Sequence, residues 1–381
     1  MKTIPYGRHH IDNNDVKSII KVMKSDLITG GSKVNEFEKK INSYVQCKYS
    51  IACNSGTSAL FLALQSINLK KDDKIIMPNI NFIASYNAAK LLKAQIYLSD
   101  VDYKTGQMTP EKVDECCRKY NLKHVKAIIV MYNAGFPENA YNFKKLKKKL
   151  NCFIIEDACH ALGAGYIFKK KLYKIGSCKH SDISTFSLHP LKSITTGEGG
   201  IVTTNSKKIF KQLLLFRSLG IKRKKNEHWE YDVKNYGLNF RLNELQSALG
   251  ISQLKKIDLF IAKRKKIYNT YKKEIANING LDMPNYSKNC FPSFHLCLVN
   301  LSNQNLKLKK KFIKFMLKKN IMVQYHYIPI YKFSIFKDKY LKTNAEKYYN
   351  STISLPIFYT LNSSQQKKII KCIKNFFLNL S

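Results

Sequence analysis

The segments KAIIVM (residues 126–131) and CFIIE (residues 152–156) are short runs dominated by apolar and β-branched side chains. Such runs are typical of strands buried on both faces of a parallel sheet. Similar runs alternate with amphipathic stretches across residues 50–205. The predicted strands span residues 50–53, 74–77, 95–99, 126–131, 152–156, 183–186 and 200–204. Because strands that alternate with helices form βαβ units, the sequence predicts an α/β fold with a mostly parallel sheet.

The pattern changes after Arg241. Residues 242–276 carry apolar side chains at helical spacing, which predicts one or two long helices. Farther on, HLCLVNL (295–301) and MVQYHYI (322–328) are predicted strands, and LKLKKKFIKFMLKKN (306–320) is a predicted helix. We therefore expect a large domain over residues 1–250 and a smaller α+β domain over residues 251–381.

The composition is that of a globular protein without an evident export or membrane segment. Hydrophobic residues make up 44% of the 381 residues, and no apolar run is long enough to span a bilayer. The N-terminal residues also lack the apolar core of a signal peptide. The ten cysteines are scattered, with no CxxC and no zinc-type spacing, so we expect reduced thiols and no bound metal. These features predict a cytoplasmic protein.

The formal net charge of +40 raises the possibility of a nucleic-acid binder. However, the basic residues are almost all lysines, and they are spread along the whole chain. The arginines are Arg8, Arg118, Arg217, Arg223, Arg241 and Arg264. Because arginine forms the forked contacts that read bases and phosphates, this distribution favours solvated lysine faces over a nucleic-acid partner.

Ligands of open α/β sheets bind beyond the carboxyl ends of the strands, so the polar residues there are the first site candidates. The segment CNSGTSAL (residues 53–60) follows a predicted strand and opens a helix. Its exposed N–H groups and the Thr57 hydroxyl are suited to a phosphate. The same pattern also fits an ordinary helix N-cap.

The sequence EDACH (residues 156–160) ends the CFIIE strand. A carboxylate at the end of a buried strand is costly without a cationic partner. A pyridinium nitrogen is one such partner, and Asp157 would then hold that nitrogen protonated. The alternative is an aspartate that caps the following turn.

The sequence STFSLHPLK (residues 184–192) is followed by a glycine-rich turn. Lys192 is predicted to lie in a loop directly after a strand, where a lysine can form a Schiff base and move protons. Ser187 offers a further hydroxyl for a phosphate. The alternative is that Lys192 lies on the surface, as is usual for any single one of the many lysines.

The sequence YGLNFR (residues 236–241) precedes the predicted long helices. Asn239 and Arg241 fit two interpretations, a helix cap with a surface charge or polar groups directed at a phosphate.

Together these segments resemble the sugar-nucleotide aminotransferases of the DegT–StrS family, over nearly the whole chain. The motifs NSGTSAL, EDACHALGA, FSLHPLKSITTGEGG and GLNFRLNELQSALG carry the resemblance. It implies the fold of type I enzymes that use pyridoxal 5′-phosphate (PLP), with a large, mostly parallel seven-stranded sheet and a smaller α+β C-terminal domain. It also implies an obligate homodimer with shared active sites.

The resemblance assigns roles to individual residues. It makes Lys192 the Schiff-base lysine and the acid–base group, and Asp157 the partner of the ring nitrogen. It places His160 near the ring and its 3-oxygen, with Phe82 stacked on the ring. The implied phosphate contacts are Gly56, Thr57 and Ser187, together with Asn239 from the neighbouring subunit. The implied substrate-binding residues are Tyr6, Asp26, Leu27, Ile28, Thr29, Gln324, Tyr325, His326 and Tyr327.

Further similarity, in SDLITGG, QYHYIPIY and AEKYYNSTISLP, points within the family to enzymes of pseudaminic acid biosynthesis. The implied substrate is UDP-4-keto-6-deoxy-N-acetyl-β-L-altrosamine, and the implied amino donor is glutamate. Another keto sugar, such as GDP-4-keto-6-deoxymannose or a 3-keto sugar, is an alternative. A sugar dehydratase on the same fold is disfavoured because relatives of that type replace the lysine by histidine. A non-catalytic, basic regulatory or nucleic-acid-associated protein on this fold is the alternative from another class.

Overall fold

The computed structural model describes residues 3–224, 227, 229–336 and 343–379. The strands are β1 (Tyr49–Cys53), β2 (Lys74–Pro78), β3 (Gln95–Ser99), β4 (Ala127–Met131), β5 (Phe153–Asp157), β6 (Gly165–Phe168), β7 (Lys171–Lys174), β8 (Ile183–Ser187), β9 (Gly200–Thr204), β10 (Ile221–Arg223), β11 (Tyr231–Val233), β12 (Leu281–Asp282), β13 (Cys290–Phe291), β14 (Cys297–Leu301) and β15 (Thr352–Leu355). The helices are α1 (Asn13–Met23), α2 (Ser32–Val45), α3 (Gly56–Ser66), α4 (Ala84–Leu91), α5 (Pro110–Lys119), α6 (Phe143–Leu150), α7 (Lys207–Arg217), α8 (Glu244–Leu254), α9 (Ile257–Ile275), α10 (Leu306–Lys318), α11 (Asn344–Ser351) and α12 (Ser363–Leu378).

The largest sheet has seven strands in the order β1-β9-β8-β5-β4-β2-β3. Neighbouring strands from β8 to β3 run parallel, whereas β9 is antiparallel to both β8 and β1. Each predicted strand of residues 50–205 coincides with one of these seven strands to within about one residue at either end, a margin within which helix and strand bounds ordinarily vary. The prediction of a mostly parallel, seven-stranded sheet is therefore confirmed.

Alternate residues of the central strands pack into two hydrophobic cores, because successive side chains of a strand point to opposite faces. In β4, Ile129 packs in one core and Ile128 in the other. The first core contains α3 and α4 side chains, and the second contains side chains of α2, α5 and α6. The sheet is thus covered on both sides, which accounts for its continuous apolar sequence runs.

The C-terminal part of the chain contains an antiparallel sheet of order β12-β14-β15. Helices α8 and α9 occupy the region predicted to form one or two long helices, and α10 matches the predicted helix at 306–320. Asn243 begins α8 with a capping box, in which its side chain accepts a hydrogen bond from the backbone N–H of Gln246. The predicted domain boundary after residue 250 falls inside α8, and the division into two domains stays a prediction.

The predicted strand MVQYHYI (322–328) was wrong. This segment makes one isolated bridge, between Gln324 and Ser354, and is otherwise irregular. Its backbone does not continue as a ladder because consecutive side chains both turn inward, with His326 bonded to Ser354 and Tyr327 bonded to His160. Within the described ranges, none of the helices combines the length and apolarity needed to cross a membrane.

Candidate active site

A cavity of about 360 Å³ opens at the carboxyl end of the parallel strands. Met131, Asp157 and Ser187 each end a strand of the large sheet and line this cavity. The N-terminal turn of α3 forms another wall. Because the carboxyl ends of parallel strands meet at one edge, residues far apart in sequence converge here.

Asp157 is the last residue of β5, and its side chain is 4% exposed. Its Oδ2 atom accepts a hydrogen bond from Ser85 Oγ at 2.7 Å and another from Asn81 Nδ2 at 3.3 Å. Its Oδ1 atom lies 3.4 Å from the backbone nitrogen of Cys159. These contacts orient the carboxylate but supply no cation among the described residues.

The neighbouring carboxylate, Glu156, points to the opposite face of the sheet. It accepts hydrogen bonds from Tyr132 Oη, at 2.8 Å, and from Ser184 Oγ. Burial raises the pKa of Glu156 above its ordinary value. Although the two acids are adjacent in sequence, only Asp157 of this pair lines the cavity.

Lys192 lies in the loop between β8 and β9. Backbone hydrogen bonds close this loop, from Leu188 N to Gly199 O at 2.8 Å and from Thr196 N to Leu188 O at 3.0 Å. Desolvation by the surrounding protein lowers the pKa of Lys192, while Cys159 and Asp157 oppose that shift. A lowered pKa increases the fraction of neutral, nucleophilic amine at neutral pH.

The start of α3 combines free donors with a close backbone approach. Ser55 caps the helix by accepting from Ser58 N at 3.0 Å, and no described residue accepts from the Gly56 or Thr57 N–H. A Cβ atom at position 56 would lie 2.8 Å from the Cβ atom of Ser187. Glycine therefore lets the helix start approach β8, where the Ser187 and Thr57 side chains also line the cavity.

His160 lies on another wall and is buried. Its Nε2 atom is 2.8 Å from Tyr327 Oη, and its Nδ1 atom has no hydrogen-bond partner among the described residues. Burial, assisted by Lys192 and His326, lowers the pKa of His160 well below its ordinary value, so the imidazole is neutral. Phe82, on the rim, is 56% exposed, and its ring centroid lies 5.9 Å from that of Tyr327.

The structure brings most of the predicted cofactor residues into this one cavity. The predicted residues that line it are Tyr6, Gly56, Thr57, Phe82, Asp157, His160, Ser187, Lys192, His326 and Tyr327. The predicted residues that do not line it are Asp26, Leu27, Ile28, Thr29, Asn239, Gln324 and Tyr325. Asn239 is exposed in the single chain, and so is the segment from Asp26 to Thr29.

Several residues that line the cavity or contact Asp157 carry no motif that sequence reasoning singled out. Asn81 and Ser85, which orient Asp157, lie beside Phe82 in the NFIAS segment, and this proximity was the available signal. Arg264 reaches the cavity from α9 and His295 from the segment just before β14, and nothing in their local sequence marks them. No group of His, Cys, Asp and Glu residues suited to a metal ion occurs in the described part of the chain.

The cavity therefore brings together a lysine, a buried aspartate and a helix start with free N–H donors. Comparison with known proteins identifies the family. The model of the DegT/DnrJ/EryC1/StrS aminotransferase family matches residues 9–374. The chain belongs to this family and is an aminotransferase, so the enzyme is favoured over the non-catalytic alternative.

Individual relatives cover almost the whole chain. A Campylobacter jejuni UDP-4-amino-4,6-dideoxy-N-acetyl-beta-L-altrosamine transaminase is 34% identical over 370 residues, which are 96% of this chain and 95% of the relative. A GDP-perosamine synthase of Escherichia coli O157:H7 is 30% identical over 380 residues, covering 99% of both chains. The solved structure of Helicobacter pylori PseC, an aminotransferase involved in pseudoaminic acid biosynthesis, has a TM-score of 0.90 and 29% identity. It covers 99% of this chain and 100% of its own. The predicted type I fold is confirmed.

Proposed function

We propose that this protein is a PLP-dependent aminotransferase that transfers the amino group of glutamate to carbon 4 of a nucleotide-linked 4-keto-6-deoxy sugar. The observation that carries the proposal is the convergence of Lys192, Asp157 and the start of α3 on one cavity. This cofactor requires a lysine, a carboxylate as counterion of its ring nitrogen, and a binding site for its phosphate.

The residues present fit the cofactor. Asp157, which forms no close ion pair with a described residue, would hold the ring nitrogen protonated. The free N–H groups of Gly56 and Thr57, with the Ser187 hydroxyl, would hold the phosphate. If the protonated Tyr327 hydroxyl donates to Nε2 of His160, the orphaned Nδ1–H of His160 is left to donate to the ring's 3-oxygen.

Lys192, Asp157 and Phe82 have different roles in the proposed reaction. When bound, PLP carries the amino group between the two substrates and withdraws electrons from the reacting carbon. Lys192 holds the cofactor between turnovers and then, as a free amine, moves the proton at that carbon. Asp157 would hold positive charge on the ring, and this contribution would be largest in the transition state, where the ring withdraws electrons from the reacting carbon. Phe82, on the rim of the cavity, would pack against the ring and limit its movement.

For the substrate, we propose UDP-4-keto-6-deoxy-N-acetyl-β-L-altrosamine. The names of the Campylobacter relative and of the Helicobacter structure support this choice. Glutamate would leave as 2-oxoglutarate while the keto sugar leaves as the 4-amino sugar, so one amino group is exchanged for one carbonyl oxygen. The perosamine synthase relative makes GDP-4-keto-6-deoxymannose the second candidate.

A panel of keto sugars tests the substrate. We expect glutamate-dependent amination of the UDP-linked 4-keto altrosamine derivative with a kcat/KM at least ~10-fold above that of GDP-4-keto-6-deoxymannose, the size of one good polar contact. The amino sugar would be quantified by mass spectrometry at several substrate concentrations. A preference for the GDP sugar, or for a 3-keto sugar, would contradict the UDP assignment and leave the aminotransferase class intact.

We further propose a homodimer whose active sites are shared. Asn239 is exposed and does not line the cavity of its own chain, and its backbone oxygen lies 3.5 Å from Asn54 Nδ2 beside the α3 start. Apolar side chains around this region, including Tyr236 and Leu238, are also exposed. If a second copy covers this surface, Asn239 of one chain would reach the phosphate-binding site of the other chain.

Mixing two inactive variants tests the shared site. Chains with Lys192→Ala and chains with Asn239→Asp, whose added charge repels a phosphate, would be unfolded and refolded together. We expect about a quarter of wild-type activity, since half of the random dimers are mixed and one of the two sites in each is intact. Lys192→Ala mixed with Asp157→Asn is the control without rescue, because both residues serve the same chain's cavity. A competent monomer, or no rescue from verified mixed dimers, would refute sharing.

A further inference from the structure

Lys309, on α10, is a buried cation without an acidic partner. It is 2% exposed, and it forms no ion pair with a described carboxylate. Its ammonium donates a hydrogen bond to the backbone oxygen of Tyr349, in the last turn of α11. The last four carbonyl groups of a helix have no partner within that helix. The bond therefore satisfies a free acceptor at the negative end of the helix dipole.

Two tyrosine rings complete the surroundings of this ammonium. The Nζ atom of Lys309 lies 4.9 Å from the ring centroid of Tyr325 and 4.5 Å from that of Tyr349. The two rings meet edge to face, with their centroids 5.8 Å apart. A cation is attracted to the face of an aromatic ring, and the attraction is stronger where water is excluded. Lys309 therefore joins α10 both to α11 and to the segment that contains Tyr325.

That segment, residues 324–327, forms part of the wall of the active-site cavity. His326 and Tyr327 line the cavity, whereas Tyr325 does not line it and contacts Lys309 instead. The segment is irregular and has one isolated backbone bridge to β15. Its shape therefore depends on side-chain contacts, and the contact between Tyr325 and Lys309 comes directly before the residues that reach the cavity.

We propose that Lys309 is a positioning residue for the nucleotide-sugar substrate. Its ammonium holds the ring of Tyr325, and this contact sets the backbone from which His326 faces the cavity. The Nδ1 atom of His326 lies 2.8 Å from Ser354 Oγ, and its Nε2 atom has no hydrogen-bond partner among the described residues, which suits an oxygen of the sugar. The inference rests on the proposed function, because it concerns the binding of the second substrate.

The charge of Lys309 distinguishes this role from simple packing. Burial lowers the pKa of Lys309 to about 7, so its contact with Tyr325 should weaken as the ammonium loses its proton above that pH. Burial raises the pKa of Tyr349, which therefore stays protonated. The other charged groups beside the Tyr349 ring, Lys332 and Glu346, form an ion pair with each other. Substrate binding should thus follow the charge at position 309.

Phe312 offers a matched control on the same helix. It is fully buried, and its ring centroid lies 5.0 Å from that of Phe376 and 5.9 Å from that of Phe377, both on α12. It does not line the cavity. We expect Phe312→Leu to lower the melting temperature and to leave substrate binding unchanged, because the cationic contact is kept.

The test follows the two half-reactions separately by the absorbance of the PLP-loaded and the aminated enzyme. We expect Lys309→Met to weaken apparent binding of the keto sugar to the aminated enzyme ~10-fold, the order of one desolvated cation–π contact. The half-reaction with glutamate should be nearly unchanged, since the predicted contacts of residues 324–327 are with the nucleotide sugar. Lys309→Arg, which stays charged, should restore binding and remove the loss of affinity that wild type shows between about pH 6 and 9.

Two further measurements test the route through Tyr325. If Lys309 acts through that ring, the double variant Lys309→Met/Tyr325→Leu should bind the keto sugar no more weakly than Tyr325→Leu alone. Hydrogen exchange of the backbone amides of residues 324–327, followed by mass spectrometry, should be faster in Lys309→Met than in wild type or in Phe312→Leu.

Equal weakening of both half-reactions, additive defects in the double variant, or an equal loss of sugar binding in Phe312→Leu would overturn the assignment. The same pH dependence in wild type and Lys309→Arg, or unchanged amide exchange in Lys309→Met, would also overturn it. If wild-type protein aminates no nucleotide sugar, the proposed function fails, whereas the amide exchange still decides whether Lys309 holds residues 324–327 in place.

Discussion

Replacing Lys192 with alanine is expected to abolish both covalent attachment of PLP and all turnover, while the fold survives. The physical reason is that Lys192 is the amine that lines the cavity near Asp157 and Cys159, which act on its pKa. No other group in the proposed mechanism holds the cofactor or moves the proton at the reacting carbon. The measurements are the visible absorbance of the purified protein, the mass of the chain after borohydride reduction, and the rate of amination.

Lys174→Ala is a matched control for the loss of a partly buried lysine. The ammonium of Lys174 lies 3.7 Å from the centre of the Tyr44 ring, and burial lowers its pKa as well, but it does not line the cavity. We expect this variant to keep its colour and its activity. A yellow, active Lys192→Ala protein would show that the cofactor is held elsewhere.

Changing Asp157 to asparagine is expected to leave PLP bound but to reduce turnover ~10³-fold or more, equivalent to ~4 kcal/mol of transition-state stabilisation. The amide can still accept from Ser85 and Asn81, so the side chain should keep its place. It is uncharged, however, and cannot hold the ring nitrogen protonated. Single-turnover rates with glutamate would measure the loss directly, together with PLP occupancy.

Glu156→Gln is the control for a buried carboxylate of the same strand. Glu156 bonds to Tyr132 and Ser184 on the far face of the sheet, so its change should lower stability and not the rate of the chemical step. Near-normal turnover in Asp157→Asn, or an equal loss in Glu156→Gln, would mean that Asp157 is not the counterion.

The large sheet could be predicted because strands buried on both faces leave continuous apolar runs. Ile128 and Ile129 face different cores, so both positions must be apolar and the run is visible in the sequence. The short pairs β6–β7 and β10–β11 were not predicted, since strands of three or four partly exposed residues carry little pattern. The segment 322–328 has strand-like composition, but the contacts of His326 and Tyr327 with distant residues decide its shape.

The candidate site could be predicted where its residues directly follow predicted strands. Lys192 and Asp157 were identified in this way, and the structure places them in one cavity. Arg264 and His295 could not be found, because they approach the cavity through tertiary packing and leave no local signature. The single chain also leaves Asn239 and the segment from Asp26 to Thr29 outside the cavity, so their predicted roles depend on the proposed partner subunit.

Transfer of isotope from [¹⁵N]glutamate to the sugar tests the central claim most directly. The purified, PLP-loaded protein would be incubated with [¹⁵N]glutamate and UDP-4-keto-6-deoxy-N-acetyl-β-L-altrosamine, and the products would be analysed by mass spectrometry and ¹⁵N NMR. We predict a UDP-linked 4-amino sugar that carries the label, formed in equal amount to 2-oxoglutarate. A PLP-loaded protein that places no ¹⁵N on this sugar, nor on any other UDP- or GDP-linked keto sugar, would contradict the account.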